Sequence, residues 1–274
     1  MGYLSEGRWI SADQRPTGQF IRRDSQFRNW ITPDGASGPS GSAGFKAETD
    51  RYHLYVSLAC PWASRTLIFR ALKGLEAMVG LSVTHCLMGE HGWTFTPGDG
   101  VVPDSVNSVE FLYQLYARAD PTYSGRVTVP VLWDKQRDTI VNNESADIIR
   151  MFNGAFDGLG ARPGDYYPPP LRADIDRVNA RIYDTVNNGV YKAGFAGTQA
   201  AYEAAMAPVF KTLDWLEEHL PSRRFLIGDS PMEADWRLFT TLVRFDAVYH
   251  GHFKCNLRRL IDYPNVWAYT RELY

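Results

Sequence analysis

From Arg51 onward the chain switches between two hydrophobic rhythms, and these predict its elements. Tyr52-His-Leu-Tyr-Val-Ser57 is β-branched and aromatic, which predicts a strand. Ala63, Leu67, Ile68, Ala71 and Leu72 then recur at helical spacing, and Lys73-Gly74 supplies the cation and the glycine that stop a helix. Leu81-Ser-Val-Thr-His-Cys-Leu87 predicts a second strand, and the β-α-β order implies a parallel pair with a right-handed crossover. An excursion over residues 88–125 carries Gly89-Glu-His-Gly-Trp93 and a predicted short helix over 108–117. Thr128-Val-Pro-Val-Leu-Trp133 predicts a third strand interrupted by Pro130, a residue that sheets confine to edges and special turns. Thr139-Ile-Val141 predicts a fourth, and Asn143-Glu-Ser145 opens a helix over 146–152.

Beyond Asn153 a Gly- and Pro-rich stretch ends in Pro168-Pro-Pro170, and everything after it reads helical. Three stripes predict a helical bundle: Ile175, Val178, Ile182 and Val186; Tyr202, Ala205, Met206, Val209, Leu213 and Leu216, with a kink at Pro208; and Trp236, Phe239, Leu242, Val243 and Val248. Ahead of the first strand lies an arm with scattered aromatics (Trp9, Phe20, Phe27, Trp30), which predict that it is pinned to the body. The run from Pro33 to Gly44 that follows is rich in Gly, Ser and Pro and reads as a mobile linker. The fold class is therefore α/β followed by all-α, and the order β-α-β then β-β-α over about a hundred residues is that of a thioredoxin-like domain.

Composition narrows the function classes. Lys+Arg 29 against Asp+Glu 31 gives a net charge of −2, which excludes a general polyanion binder. No stretch has the roughly 18 apolar residues of a membrane span. The start, Met1-Gly-Tyr-Leu-Ser-Glu6, shows no basic region leading into an apolar run, and Glu6 stands where a myristoylation signal needs Ser or Thr. Three distant cysteines, Cys60, Cys86 and Cys255, argue against a disulfide framework and for a reducing compartment, with the cytosol as the expectation. His250-Gly-His252 is too isolated for a metal site, so no metal is expected. Aromatics make up 14% of the chain, enough to furnish both a core and a site for a flat substrate.

The strongest local chemistry is Cys60-Pro61-Trp62-Ala63, at the junction of strand and helix. A thiol just before the first turn receives unpaired N–H groups and the positive end of the helix, which favour its nucleophilic thiolate. Pro61 suits the first helical position. Because Ala63 is not a cysteine, the nucleophile has no internal resolving partner, and an external thiol must resolve any mixed disulfide. The plain alternative is a buried, inert cysteine. Val129-Pro130 is a candidate cis bond facing that cysteine, offering the Val129 backbone to an extended ligand. Glu144 and Ser145 at a helix start suit an α-amino acid head, Glu144 for the ammonium and the helix end for the carboxylate, or serve simply as a cap. Trp93 and Arg126 suit a flat surface and a carboxylate, or, taken singly, a purely structural role. From the residues alone Tyr191 and Tyr249 read as packing tyrosines, and Cys86 and Cys255 as core. The Asn143-Glu-Ser sequon is taken as chance.

Tyr52-His-Leu-Tyr-Val-Ser-Leu-Ala-Cys60-Pro-Trp-Ala resembles the signature of the glutathionyl-hydroquinone reductases, the Xi-class glutathione transferases. Arg126-Val-Thr-Val-Pro-Val-Leu-Trp133, Ile140-Val-Asn-Asn-Glu-Ser145, Asn187-Asn-Gly-Val-Tyr-Lys192, Asp235-Trp-Arg-Leu-Phe239, Val243-Arg-Phe-Asp-Ala-Val-Tyr-His250 and His252-Phe-Lys-Cys-Asn256 extend the likeness from about residue 20 to the end. The resemblance implies a glutathione transferase fold. Residues 1–45 would be an arm and linker, 46–155 a thioredoxin-like glutathione-binding domain, 156–170 a linker and 171–274 a helical substrate-binding domain. It implies that Cys60 is the nucleophile and that glutathione lies along Val129-Pro130. Its γ-glutamyl head would sit at Glu144 and Ser145, with Trp93 and Arg126 also lining the site. Tyr191 and Tyr249 would hydrogen-bond the hydroquinone oxygens. It also implies glutathione as co-substrate, aromatic glutathionyl-hydroquinones as substrates, a homodimer, and no nucleic-acid or membrane partner.

Two departures from the family accompany it. Met232 stands where members often cap a helix with Thr, and Ser230-Pro-Met-Glu233 is instead expected to form a capping box, starting the helix at Ser230. The family also continues past Arg271-Glu-Leu-Tyr274 with a segment that supplies a further tyrosine. A general thiol transferase or dehydroascorbate-type reductase would share Cys60 but not need Tyr191 and Tyr249. A non-catalytic binding protein on the same fold would need neither Cys60 nor turnover.

Overall fold

The computed structural model describes residues 2–11 and 18–274 and divides them into two units. The first comprises residues up to 11 together with Asp24–Asp165; the second comprises 18–23 and Tyr166–Tyr274.

The first unit is built on a four-stranded sheet of β5 (Tyr52–Ser57), β6 (Val79–Thr84), β7 (Val131–Asp134) and β8 (Thr139–Asn142). The spatial order is β6-β5-β7-β8; β5 and β6 are parallel, and β5–β7 and β7–β8 antiparallel. All six residues of β5 are buried, as suits a central strand covered on both faces. Helix α1 (Pro61–Leu72) is the crossover between β5 and β6, and α3 (Ser145–Gly154) packs beside it. This is the thioredoxin-like order predicted from the hydrophobic pattern.

Several boundaries differ for local reasons. Strand β6 ends at Thr84 because the His85 N–H turns away to the Thr94 carbonyl and the His85 ring accepts from the Leu87 N–H. Cys86 is consequently exposed, not core. Strand β7 begins only after the cis Val129–Pro130 bond. The short helix of the excursion is α2 (Tyr113–Ala119), later than expected, because Phe111 is spent on an antiparallel bridge to Thr94. Asn143 of the sequon is buried and donates to the Tyr116 hydroxyl, which leaves no room for a glycan.

The arm is ordered wherever it is described. Strands β1 (Tyr3–Ser5) and β2 (Arg8–Ile10) form a hairpin around Glu6 and Gly7, both at positive φ, the requirement of a tight primed turn. Strands β3 (Trp30–Thr32) and β4 (Gly44–Lys46) pair in parallel, and Pro33–Ala43 carries the chain between them. The expected mobile linker is thus a pinned crossover. The Asn29 side chain accepts from the Ser42 and Ala43 N–H groups, Trp30 Nε1 donates to Ser40 Oγ, and Thr32 Oγ1 donates to the Ala36 carbonyl. Gly38 against the Trp30 ring and Gly44 against the Ala36 carbonyl leave no space for a Cβ, so those glycines serve close approach and not mobility.

The second unit is helical: α4 (Arg172–Ile182), α5 (Gly189–Gly194), α6 (Gln199–His219), α7 (Glu233–Leu242) and α8 (Pro264–Leu273). Helix α6 runs through Pro208 and is capped by Thr198 Oγ1 on the Ala201 N–H. The first two predicted stripes are core or packed against it. The third is only partly so: Leu242 is buried and Trp236 and Phe239 pack against the core, but Val248 is exposed, and the fully buried face also includes Ala234, Leu238 and Phe245. The polar Asp235 and Thr241 on the inner side hid that face from a hydrophobic count. Helix α7 begins at Glu233, not Ser230, because Asp235 reaches back and accepts from the Met232 N–H at 2.8 Å. The same carboxyl accepts from the Leu226 N–H and the Tyr269 hydroxyl, and its burial raises its pKa. Single π-helical turns at Tyr183–Asn187 and Phe245–Tyr249 follow α4 and α7.

Candidate active site

Cys60 occupies the N-cap of α1 in extended conformation, with Pro61 as the first helical residue. Its carbonyl receives both the Ser64 N–H and the Ser64 hydroxyl at 3.0 Å, which fixes the cap without using the thiol. The thiol is half-buried and points at the Val129 carbonyl oxygen, 3.6 Å away. Sequence positions 60 and 129 thus meet where β5 passes into α1 and where the chain enters β7. The Tyr116 hydroxyl, donating to the Thr128 carbonyl at 2.8 Å, holds the approach to that turn. Burial raises its pKa, so the phenol remains a donor.

Glu144 is the N-cap of α3, its carboxylate accepting from the Ala146 N–H at 3.1 Å. Ser145 is buried beside it, and its hydroxyl accepts from the Arg65 guanidinium of α1 at 3.4 Å. Arg65 is 1% exposed and lies 4.5 Å over the Trp62 ring, so a buried cation joins the helix that bears Cys60 to the start of α3. The Ser25 hydroxyl donates to the other carboxylate oxygen of Glu144 at 3.1 Å. Neither Arg65 nor Ser25 was among the sequence-derived candidates: Arg65 sat in an apolar helical stripe, and Ser25 lies 119 residues from its partner. Trp93 is half-buried in the excursion, its carbonyl accepting from the Leu112 N–H at 2.9 Å. Arg126 is exposed, its carbonyl accepting from the Tyr123 hydroxyl at 3.0 Å. A helix end with a carboxylate and a hydroxyl, joined through Arg65 to the helix that carries a capping thiol, is suited to a charged thiol peptide.

In the second unit Tyr191 of α5 and Tyr249, last residue of the second π-turn, have ring centres 6.2 Å apart. Phe253 packs edge-on against Tyr191 at 5.3 Å and tilted against Tyr249 at 5.2 Å, and Phe195 lies 6.0 Å from Tyr191. Arg22 sits 4.9 Å over the Tyr191 ring, with its Nε donating to Asn188 Oδ1 at 2.9 Å. Sequence reasoning found the two tyrosines through resemblance alone and missed Arg22, Phe195 and Phe253. Tyr249 ends the second π-turn, and α5, which bears Tyr191, follows the first; such turns concentrate at functional sites. Among the described residues no cluster of three or more His, Cys, Asp or Glu side chains is placed to hold a metal ion, and no helix is long and apolar enough to cross a membrane.

Comparison with known proteins agrees with this architecture. Residues 59–155 match the model of the glutathione S-transferase N-terminal domain, and 199–272 that of the C-terminal domain. Two curated relatives are the glutathionyl-hydroquinone reductases PcpF of Sphingobium chlorophenolicum and YqjG of Escherichia coli. PcpF is 59% identical over 97% of this chain and 83% of its own, YqjG 60% identical over 100% and 85%. Among solved structures, glutathione-bound YqjG superposes with a TM-score of 0.92 at 58% identity, covering 100% of this chain and 84% of that one. The Xi glutathione transferase of Phanerochaete chrysosporium gives 0.88 at 53% identity, covering 93% and 85%. A thioredoxin-like unit with a cysteine at its first helix cap and a helical unit after it define a glutathione transferase. Within that superfamily the chain belongs to the Xi class, the glutathionyl-hydroquinone reductases.

Proposed function

We propose that this protein reduces glutathionyl-hydroquinones to free hydroquinones at the expense of glutathione. The Cys60 thiolate attacks the sulfur of the aryl thioether. The carbon–sulfur bond breaks, its electron pair stays on the ring carbon, and a proton completes the hydroquinone. A Cys60–glutathione disulfide remains. A second glutathione thiolate attacks its glutathionyl sulfur, releasing oxidised glutathione and the Cys60 thiolate, and the proton of that second thiol balances the one taken up by the ring. In this reading the γ-glutamyl head rests at Glu144 and Ser145, the peptide runs along Val129 before cis Pro130, and Trp93 and Arg126 line its flank. The Tyr191 and Tyr249 hydroxyls donate to the hydroquinone oxygens as charge develops there.

The observation that carries the proposal is the placement of a lone thiol at the α1 cap, 3.6 Å from the Val129 carbonyl and with Ala63 where a resolving cysteine would stand. Such a thiol forms a mixed disulfide that only a second thiol opens. The same reading includes a homodimer in solution, tested by sedimentation, and a reducing, cytoplasmic setting. The decisive experiment supplies a glutathione–menadiol conjugate with excess glutathione and follows menadiol and oxidised glutathione. Equal release of both, absent in Cys60→Ser, is expected. Reduction of hydroxyethyl disulfide through Cys60 with no menadiol released would overturn the reading in favour of a general thiol transferase.

A further inference from the structure

The hairpin β1–β2 grips two separate loops of the first unit. Along β1 the backbone of Leu4 exchanges two hydrogen bonds with Gly125 at 2.9 Å, and at the tip the Gly7 N–H donates to the Tyr123 carbonyl at 3.0 Å. The Glu6 N–H donates to Ser124 Oγ at 2.9 Å, and that hydroxyl returns a bond to the Glu6 carboxylate at 3.2 Å. Leu4 is fully buried by this contact, and Gly7 stands so close to the Pro121 carbonyl that no Cβ fits. These residues lead directly into Arg126.

The other strand of the hairpin holds the excursion. Trp9 Nε1 donates to the Glu90 carbonyl at 3.1 Å. Its ring stacks on Tyr113 at 5.0 Å and 19°, Tyr113 stacks on Phe111 at 5.6 Å and 8°, and His91 covers Phe111 at 4.9 Å. Trp93 lies between the points so held: Glu90 and His91 precede it, and its own carbonyl is bonded by Leu112, the residue between Phe111 and Tyr113.

We infer that the N-terminal hairpin is a clasp that sets the two loops bearing Trp93 and Arg126, with Trp9 as its principal positioning residue for glutathione. This rests on the reading that Trp93 and Arg126 line the glutathione site. Cross-linking two loops through one rigid hairpin reduces the conformational freedom that ligand binding must otherwise remove. Its loss therefore weakens glutathione recognition and leaves the chemistry of Cys60 intact.

The test is steady-state turnover of hydroxyethyl disulfide with varied glutathione, which isolates the thiol co-substrate from the hydroquinone. Trp9→Ala is expected to raise KM for glutathione about fivefold, or about 1 kcal/mol at 1.4 kcal/mol per tenfold, with kcat within about twofold of the parent. Trp9→Phe keeps the stacked ring and is expected to recover most of the affinity. Amide exchange in Trp9→Ala should quicken at residues 89–93 and not in β7. Unchanged KM, or a fall in kcat at constant KM, overturns the clasp. Should Trp9→Ala prove unstable, Ser124→Ala, which removes the hydroxyl at the hairpin tip, must raise KM in the same direction or the inference fails. Trp93→Ala and Arg126→Ala separate the two levels. If neither affects glutathione binding, the underlying reading falls, whatever Trp9 does.

Discussion

At the scale of single residues, the division of labour proposed for Cys60 and the two tyrosines gives a sharp expectation. Replacing Tyr191 or Tyr249 by Phe keeps the aromatic cluster with Phe195 and Phe253 and removes one donor. Loss of a donor aimed at developing charge costs on the order of 100-fold in kcat/KM. That loss is expected with the glutathione–menadiol conjugate, whereas turnover of hydroxyethyl disulfide should stay near the parent value. A second residue governs acid stability. His53 is buried on β5 and bonded to Ser82 Oγ at 2.8 Å. The Ser82 hydroxyl gives its one proton to the Pro103 carbonyl, so the imidazole Nε2 must be the donor. Burial lowers the His53 pKa from 6.5 to about 4. The unfolded chain takes up this proton near pH 6.5 and the folded chain does not. Stability is therefore full above pH 6.5 and falls between pH 6.5 and about 4, by up to about 3 kcal/mol. Urea titrations across that window should show the fall, and His53→Gln, which retains a donor for Ser82, should flatten it. Of these residues, Cys60, Glu144 and Ser145 stand out in the sequence because strand-to-helix junctions carry local signals. Arg65, Ser25 and Arg22 do not, because the hydrogen-bond partners that place them at the site, Ser145, Glu144 and Asn188, lie 80 to 166 residues away and only tertiary packing brings them together.

At the scale of elements, hydrophobic rhythm is a good guide where an element buries one continuous face, and fails where polar groups or composition intervene. The α6 stripe holds, with Ala205, Met206, Val209, Leu213 and Leu216 all buried, whereas in α1 only Ala63 of the predicted stripe is buried, because Arg65 and Thr66 take up the inner face with Phe69. The inner face of α7 was misjudged because Asp235 and Thr241 are buried there. The Pro33–Ala43 crossover was misjudged more fundamentally. Its letters are those of a flexible chain, yet parallel strands β3 and β4 require a long connection and this segment supplies it with no helix. Its order is predicted to show as resistance to limited proteolysis. Subtilisin under native conditions should leave 33–43 intact in the parent. In Asn29→Ala, which loses the acceptor for the Ser42 and Ala43 N–H groups, it should cut there. Cleavage of the parent at this segment would contradict the pinned geometry.

At the scale of the whole molecule, each unit has its own core, and the three cysteines divide unequally between them: Cys60 and Cys86 in the first, Cys255 in the second. Cys255 is fully buried, its N–H donates to the Tyr249 carbonyl at 2.9 Å, and burial pushes its thiol up to about 12. Alkylation depends on both thiolate and access. The native chain is therefore expected to take up two equivalents of iodoacetamide, at Cys60 and the exposed Cys86, and the third only when the helical unit opens. Read by mass, the third label becomes a stopwatch placed beside Tyr249. Its rate measures how often the helical unit opens around Tyr249, while the Cys60 label, which added glutathione is expected to slow under the proposed function, reports on the first unit in the same tube.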